Sequence, residues 1–251
     1  MSAFMSQQTT PYAPVVAGDR ASQATAPSIP GLTCPVTEEI INQWTHAFGC
    51  CLAVIGSVVL LSTVNRSSDI FLQFGCWVYA VSLVLLYLAS TLSHSFQQRP
   101  KVRERFRTLD QVCIFMLIAG NYTPVAIMCC TGVSSAIPLC LVWLLAFVGS
   151  WLKICVTRER MVPLWFYVIM AWAPAMGMWE AFGHLGKDGM FWVLAGAISY
   201  CTGVVFFAFD ERVRGFHCLW HLLVIGGSAC HFMVVYKYTA LASMAETLAL
   251  L

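Results

Sequence analysis

Residues 111–152 read QVCIFMLIAGNYTPVAIMCCTGVSSAIPLCLVWLLAFVGSWL, with no Asp, Glu, Lys or Arg anywhere in the run. One α-helix needs roughly 20 apolar residues to cross the hydrocarbon of a bilayer, so the stretch holds about two. Residues 131–138, TGVSSAIP, interrupt it with glycine, small polar residues and a proline, the punctuation that ends helices. Splitting there turns one interval into two spans. The remaining uncharged intervals, 40–65, 70–98, 161–179, 189–209 and 215–236, each fit one span. The fold expected is therefore all-α, a bundle of seven transmembrane helices.

Composition agrees with this count. Of 251 residues, 59% are hydrophobic and 10% charged, against about 25% charged in soluble domains, and mean hydropathy is +0.74. These values describe an integral, multi-pass membrane protein, with the plasma membrane or a bacterial inner membrane as the expected location. Arg99, Lys101, Arg103, Arg105 and Arg107 lie between spans two and three, Lys153, Arg158 and Arg160 between four and five, and Arg212 and Arg214 between six and seven. The opposite loops and the C-terminal segment hold only Arg66, Lys187 and Lys237. Basic loops stay in the cytoplasm, which puts the N-terminus inside and the C-terminus outside. The net charge of +2 resides in these juxtamembrane loops, so membrane lipids with anionic headgroups are the partners it implies, and nucleic acid is not.

Residues 1–37 are rich in Ser, Thr, Gln, Ala and Pro and lack the apolar core of a signal peptide; a disordered cytoplasmic tail is expected there. The membrane domain then occupies residues 38–240, followed by a short C-terminal tail, 241–251. Residues 183–189, GHLGKDG, read as a turn. The twelve cysteines fall almost entirely inside spans and form no C-x-x-C, as expected of buried small apolar residues.

Polar residues converge at the cytoplasmic ends of three spans. Span two ends at Ser90-Thr91-Leu92-Ser93-His94, span three begins at Leu109-Asp110-Gln111, and span seven begins at Phe216-His217-Cys218-Leu219-Trp220-His221. His217 and His221 are four residues apart, so both imidazoles share one helix face, and Ser90 and His94 repeat the spacing. At about 1.5 Å per residue each pair spans about 6 Å of depth, and the levels overlap. Three imidazoles and a water suit Zn²⁺ in a catalytic site. Asp110 is then placed to orient that water as a general base, and Ser90 to donate a hydrogen bond to an oxyanion.

Each residue also has a plainer reading. The histidine pair serves equally to face headgroups, Asp110 to cap the N-terminus of span three, and Ser90 to pack helices. His231 lies about 15 Å deeper than His221 and is expected to be a hydrogen-bonded packing histidine. His46 follows Glu38 and Glu39 on the correct side of span one, as a residue supporting the site. Asn121, Tyr122 and Pro124 read as interhelical hydrogen bonding and a local kink.

Four stretches, Thr45-His46-Ala47-Phe48-Gly49, Ser90-Thr91-Leu92-Ser93-His94, Ile118-Ala119-Gly120-Asn121-Tyr122-Thr123-Pro124, and His217-Cys218-Leu219-Trp220-His221-Leu222 followed by Gly227-Ser228-Ala229-Cys230-His231-Phe232, resemble the haemolysin III family. That family belongs with the progestin and adipoQ receptors. The resemblance covers residues 38–240 and implies a seven-helix fold with a cytoplasmic N-terminus. It also implies a zinc ion held by His94, His217 and His221, with a water contacting Asp110. The wider superfamily includes alkaline ceramidases, which use a serine, an aspartate and three histidines on lipid amides; Ser90 completes that set.

Two functions follow as expectations. The first is a zinc-dependent hydrolase of a lipid amide, ceramidase-like, with Asp110 and Ser90 as its catalytic residues. The second is a non-enzymatic receptor, regulator or cytolytic pore in which zinc only clamps spans together. Span seven beyond His221, Leu-Leu-Val-Ile-Gly-Gly-Ser-Ala-Cys, is too apolar for the polar stripe a wide channel needs.

Overall fold

A computed structural model describes residues 35–129, 133–156 and 162–250. Chain contacts separate Met1–Thr33 from Cys34–Leu251; the expected disordered tail falls almost wholly outside the described residues. The described residues are helical and contain no strand. They form α1 (Pro35–Val64), α2 (Ile70–Ser95), α3 (Pro100–Cys129), α4 (Val133–Trp151), α5 (Leu164–Trp172), α6 (Met178–Ala208), α7 (Phe216–Met233) and α8 (Leu241–Ala249).

Six helical stretches are long and apolar enough to cross a membrane, and Leu164–Gly177 supplies a shorter apolar helix. Seven helical passes fit this arrangement. The last crossing is a single stretch, Phe216–Ala249, because a π-helical segment, Val234–Ala240, joins α7 to α8. The helix therefore runs through the segment read as a C-terminal tail.

Three boundaries differ from the sequence reading, each for a local reason. The charge-free run of span three starts at residue 111, with Leu109-Asp110 at its edge, but α3 begins at Pro100. Proline suits the first turn of a helix, and the basic run behind it consists of residues that form helix well in water. Residues 133–138 of the expected break belong to α4, which carries Pro138 inside it. Pro124 likewise lies within α3, which continues to Cys129. The turn read at 183–189 contracts to Gly186, whose φ of +62° takes it out of helical conformation within α6; only glycine adopts that region without a steric penalty.

α2 packs against α1 and α3, α4 follows on α3, and α7 lies against both α6 and α1, so the first and last spans are neighbours. Close approach is written into small residues: a Cβ on Gly75 would lie 3.2 Å from the Cα of Pro124, and one on Gly120 would meet the Ser82 hydroxyl. Such contacts replace the hydrophobic driving force that helices lack in lipid. The outward surface is apolar, with Trp44, Phe48, Phe71 and Phe74 exposed, as a bilayer requires.

Helix ends set which residues share a level. Asp69 caps α2 by accepting from the backbone N–H groups of Phe71 and Leu72 at 2.9 and 3.0 Å. Beside this end, Ser67 hydrogen-bonds Ser243 of α8 at 2.6 Å. The start of α2 and the end of the last pass thus share one end of the bundle, and His94, α3's first turns and His217 share the other.

Candidate metal centre

His94 occupies the last turn of α2, and His217 and His221 the first turns of α7. Three ring nitrogens or equivalent donor atoms, one per histidine, lie within 4.8 Å of one another. The ring centroids are 5.1 Å apart for His94–His217 and for His94–His221, and 4.5 Å for His217–His221. His94 and His221 are buried and His217 is half-buried. This group has the spacing to hold a metal ion.

What each ring does with its Nδ1 sharpens the geometry. His94 Nδ1 is 2.7 Å from Glu39 Oε2, His217 Nδ1 is 2.7 Å from Asp210 Oδ2, and His221 Nδ1 is 3.2 Å from Thr45 Oγ1. With Nδ1 engaged in all three, Nε2 is the nitrogen left to face a common ion. A ligating histidine ordinarily gives its other N–H to a carboxylate or other acceptor, which fixes the ring's orientation. The Glu39 and Asp210 carboxylates behind the rings put negative charge near a bound cation.

α1 supplies most of this support. Glu39 additionally pairs with Arg103 of α3, so one carboxylate joins α1, α2 and α3 around His94. The neighbouring Glu38 accepts the Gly215 N–H at 2.8 Å. Gly215 precedes α7 with φ of +82°, and α7 has no cap from its own side chains; Glu38 takes that role from another helix. Thr45 donates to the Asn42 carbonyl at 2.9 Å, and that same carbonyl also hydrogen-bonds His221.

Asp110 is half-buried on α3 and hydrogen-bonded to Ser90 of α2. It stands ten residues beyond the start of α3, which removes the capping explanation for it. Its carboxylate is not part of the ligand-distance group, whereas the side chain that accompanies it is the serine singled out from the sequence. The structure thus brings His94, His217 and His221 together and sets Ser90 and Asp110 as a bonded pair on the adjoining helices.

His231 behaves differently. Its Nδ1 is 2.6 Å from Asn121 Nδ2, and its Nε2 is 3.2 Å from the Val193 carbonyl. Both nitrogens are engaged by protein, as the reading of a packing histidine requires, and Asn121 makes the interhelical bond expected of it. His184 is exposed. His46 stacks on His221 with centroids 3.6 Å apart.

Glu39, Thr45 and Asp210 went unassigned in the sequence. A signal existed for the first: positions 39, 42 and 46 follow the helical period and share one face of the polar first turns of α1. Asp210 had none, because it belongs to the turn after α6 and reaches His217 only through the chain reversal.

The model of the family described as haemolysin-III related matches residues 35–232. "Hemolysin-3" of Bacillus cereus is 36% identical over 204 residues, covering 81% of this chain and 92% of that protein. "Hemolysin-3 homolog" of Bacillus subtilis (strain 168) is 31% identical over 81% of this chain and 95% of its own length. "Monocyte to macrophage differentiation factor" of Homo sapiens is 29% identical over 80% and 84% of the two chains. Every ligand candidate and both residues of the Ser90–Asp110 pair fall inside the matched region, and the chain belongs to the haemolysin-III-related family of multi-pass membrane proteins.

Proposed function

We propose that this protein binds zinc through His94, His217 and His221 and hydrolyses an amide of a membrane lipid, in the manner of a ceramidase. The observation that carries the reading is the pairing of a three-histidine group, one nitrogen per ring left free, with a bonded Ser90–Asp110 pair beside it. A purely structural ion needs no such pair. Three imidazoles fit zinc in four-coordinate geometry with one position for water or substrate. When bound, zinc supplies Lewis acidity towards a carbonyl and lowers the pKa of water.

The chain's own residues then have distinct tasks. Glu39, Asp210 and Thr45 hold the three rings by Nδ1. Asp110 accepts a proton from the attacking water and returns it to the leaving amine. Ser90 gives its one O–H to the Asp110 carboxylate at rest; once Asp110 has taken the proton and donates to Ser90, that O–H turns to the oxygen on which negative charge develops. Leu60, Tyr79, Leu83, Val224 and Val235, each at most 5% exposed, fill the bundle interior, which favours a closed site over a conduit. The basic residues flanking the His94 end, Arg99 to Arg107 and Arg212 to Arg214, support a cytoplasmic location for this site and for the N-terminus. A lipid reaches it sideways from the inner leaflet.

The test is metal analysis of purified protein together with fatty acid release from a panel of lipid amides. About one zinc per chain with release that Ser90→Ala abolishes, while zinc is retained, is the expected result. Zinc without release from any amide would leave a metal-clamped receptor or regulator.

A further inference from the structure

We propose that Asn42 and His46 form a second polar subsite beside the metal centre, one that takes a hydroxyl group. The two residues are one helical turn apart on α1, on the same face, with exposures of 4% and 3%. His46 lies against His221 at 3.6 Å with an interplanar angle of 31°, and meets Tyr87 edge-on at 5.2 Å. Both ring nitrogens of His46, and Oδ1 of Asn42, have no hydrogen-bond partner among the described residues.

The other buried histidines make this unusual. His231 has both nitrogens engaged, and His94 and His221 have one engaged and one directed to the metal position. His46 has none. A buried polar atom without a partner weakens folding by about tenfold or more, so three on one turn exceed what packing asks for; an apolar ring would stack on His221 as well. His46 is not a fourth ligand, since the ligand-distance group consists of His94, His217 and His221.

The chemistry of the unpaired atoms selects the guest. A neutral imidazole presents one donor and one acceptor, and Asn42 Oδ1 presents a second acceptor. An anion would need donors alone, and a cation acceptors alone. A hydroxyl both donates and accepts, and water or an alcohol of a lipid substrate supplies one. The same turn of α1 holds His221 through Thr45 and the Asn42 carbonyl, so the subsite has a fixed position relative to the ligands.

This inference rests on the lipid-amide reading for its choice of probe, and binding separates the two. The probes are N-palmitoyl sphingosine and the same lipid with both hydroxyls replaced by hydrogen, added to zinc-loaded protein in nanodiscs. Wild type is expected to bind the hydroxylated lipid about tenfold or more tightly. His46→Phe keeps the ring and the stack but removes the nitrogens; it is expected to keep its zinc, bind the deoxy lipid as wild type does, and lose the preference. Asn42→Leu repeats the comparison should His46→Phe fail to fold. Equal binding of both lipids by wild type, with an ordered water on His46 in zinc-loaded crystals that is missing in His46→Phe, assigns the hydroxyl to water and upholds the subsite. The proposal is overturned by a preference that survives both variants, by loss of zinc in His46→Phe, or by neither preference nor water in wild type. Absence of turnover would sink the hydrolase reading alone.

Discussion

Two histidines ten residues apart on α7, His221 and His231, are both buried or nearly so, and they do opposite things. At His231 the protein engages both nitrogens, with Asn121 on one side and the Val193 carbonyl on the other. At His221 the turn of α1 that carries Thr45 and the Asn42 carbonyl holds the ring, which also shares the ligand-distance group with His94 and His217. Around His231 the hydroxyls are also bonded to one another: Tyr87 donates to Ser228 at 2.8 Å, Tyr200 is bonded to the same hydroxyl at 2.9 Å, and Tyr200 packs on His231. The shallower cluster keeps three coordinating positions open. A histidine inside a membrane thus reports function through the nitrogen its neighbours leave free rather than through its burial.

The strongest way to break this contrast is to remove one member of each cluster. His221→Ala is expected to lower zinc content from about one per chain to near none, because two imidazoles do not make a tetrahedral site. His231→Leu is expected to leave zinc unchanged. Full zinc retention by His221→Ala, read by elemental analysis, would dismantle the metal centre.

A second substitution probes how the open positions are held. Glu39→Gln removes the charge behind His94 Nδ1 and the partner of Arg103. Supporting residues of this type are worth about 10- to 100-fold in metal affinity, so competition with a chelator should show a drop in that range with stoichiometry intact. An unchanged affinity would make Glu39 a fastener between helices and nothing more.

Around His231 the cost is read as stability. His231→Leu strands the Asn121 amide at about 1–3 kcal/mol, while the Val193 carbonyl, inside α6, loses only a second partner, so thermal unfolding in detergent should fall by a few degrees with zinc still bound. The smallest effect is expected at Thr45→Val, which deletes one neutral hydrogen bond of 3.2 Å to His221, worth about 0.5–1.5 kcal/mol. Zinc affinity should weaken only a few-fold; a loss as large as that of Glu39→Gln would show that neutral and charged support are equivalent here.

Much of this was legible in the residues. The charge-free intervals located seven passes, and Ser90, His94, Asp110, His217 and His221 could be set at one level because depth follows from counting along a helix. Spacing could also separate His231 from the site. Less legible were the start of α3, where a basic segment is helical without being apolar, and the roles of Glu38 and Glu39, which read as the polar end of span one.

Span number and depth come from local chemistry: apolar length against bilayer thickness, and the rise per residue. Those quantities depend on neighbours in the chain, so the sequence alone determined them. The tautomer-setting partner of each ring depends instead on how each helix is rotated about its axis and on which helix stands beside it. Glu39 reaches His94 across 55 residues and Thr45 reaches His221 across 176, and no periodicity within α1 encodes either distance. Only the tertiary packing decided these partners: α1 between α2 and α7 brings Glu39 to His94, Thr45 to His221 and an unpaired His46 beside the site, the turn after α6 brings Asp210 to His217, and α3 and α6 close both nitrogens of His231.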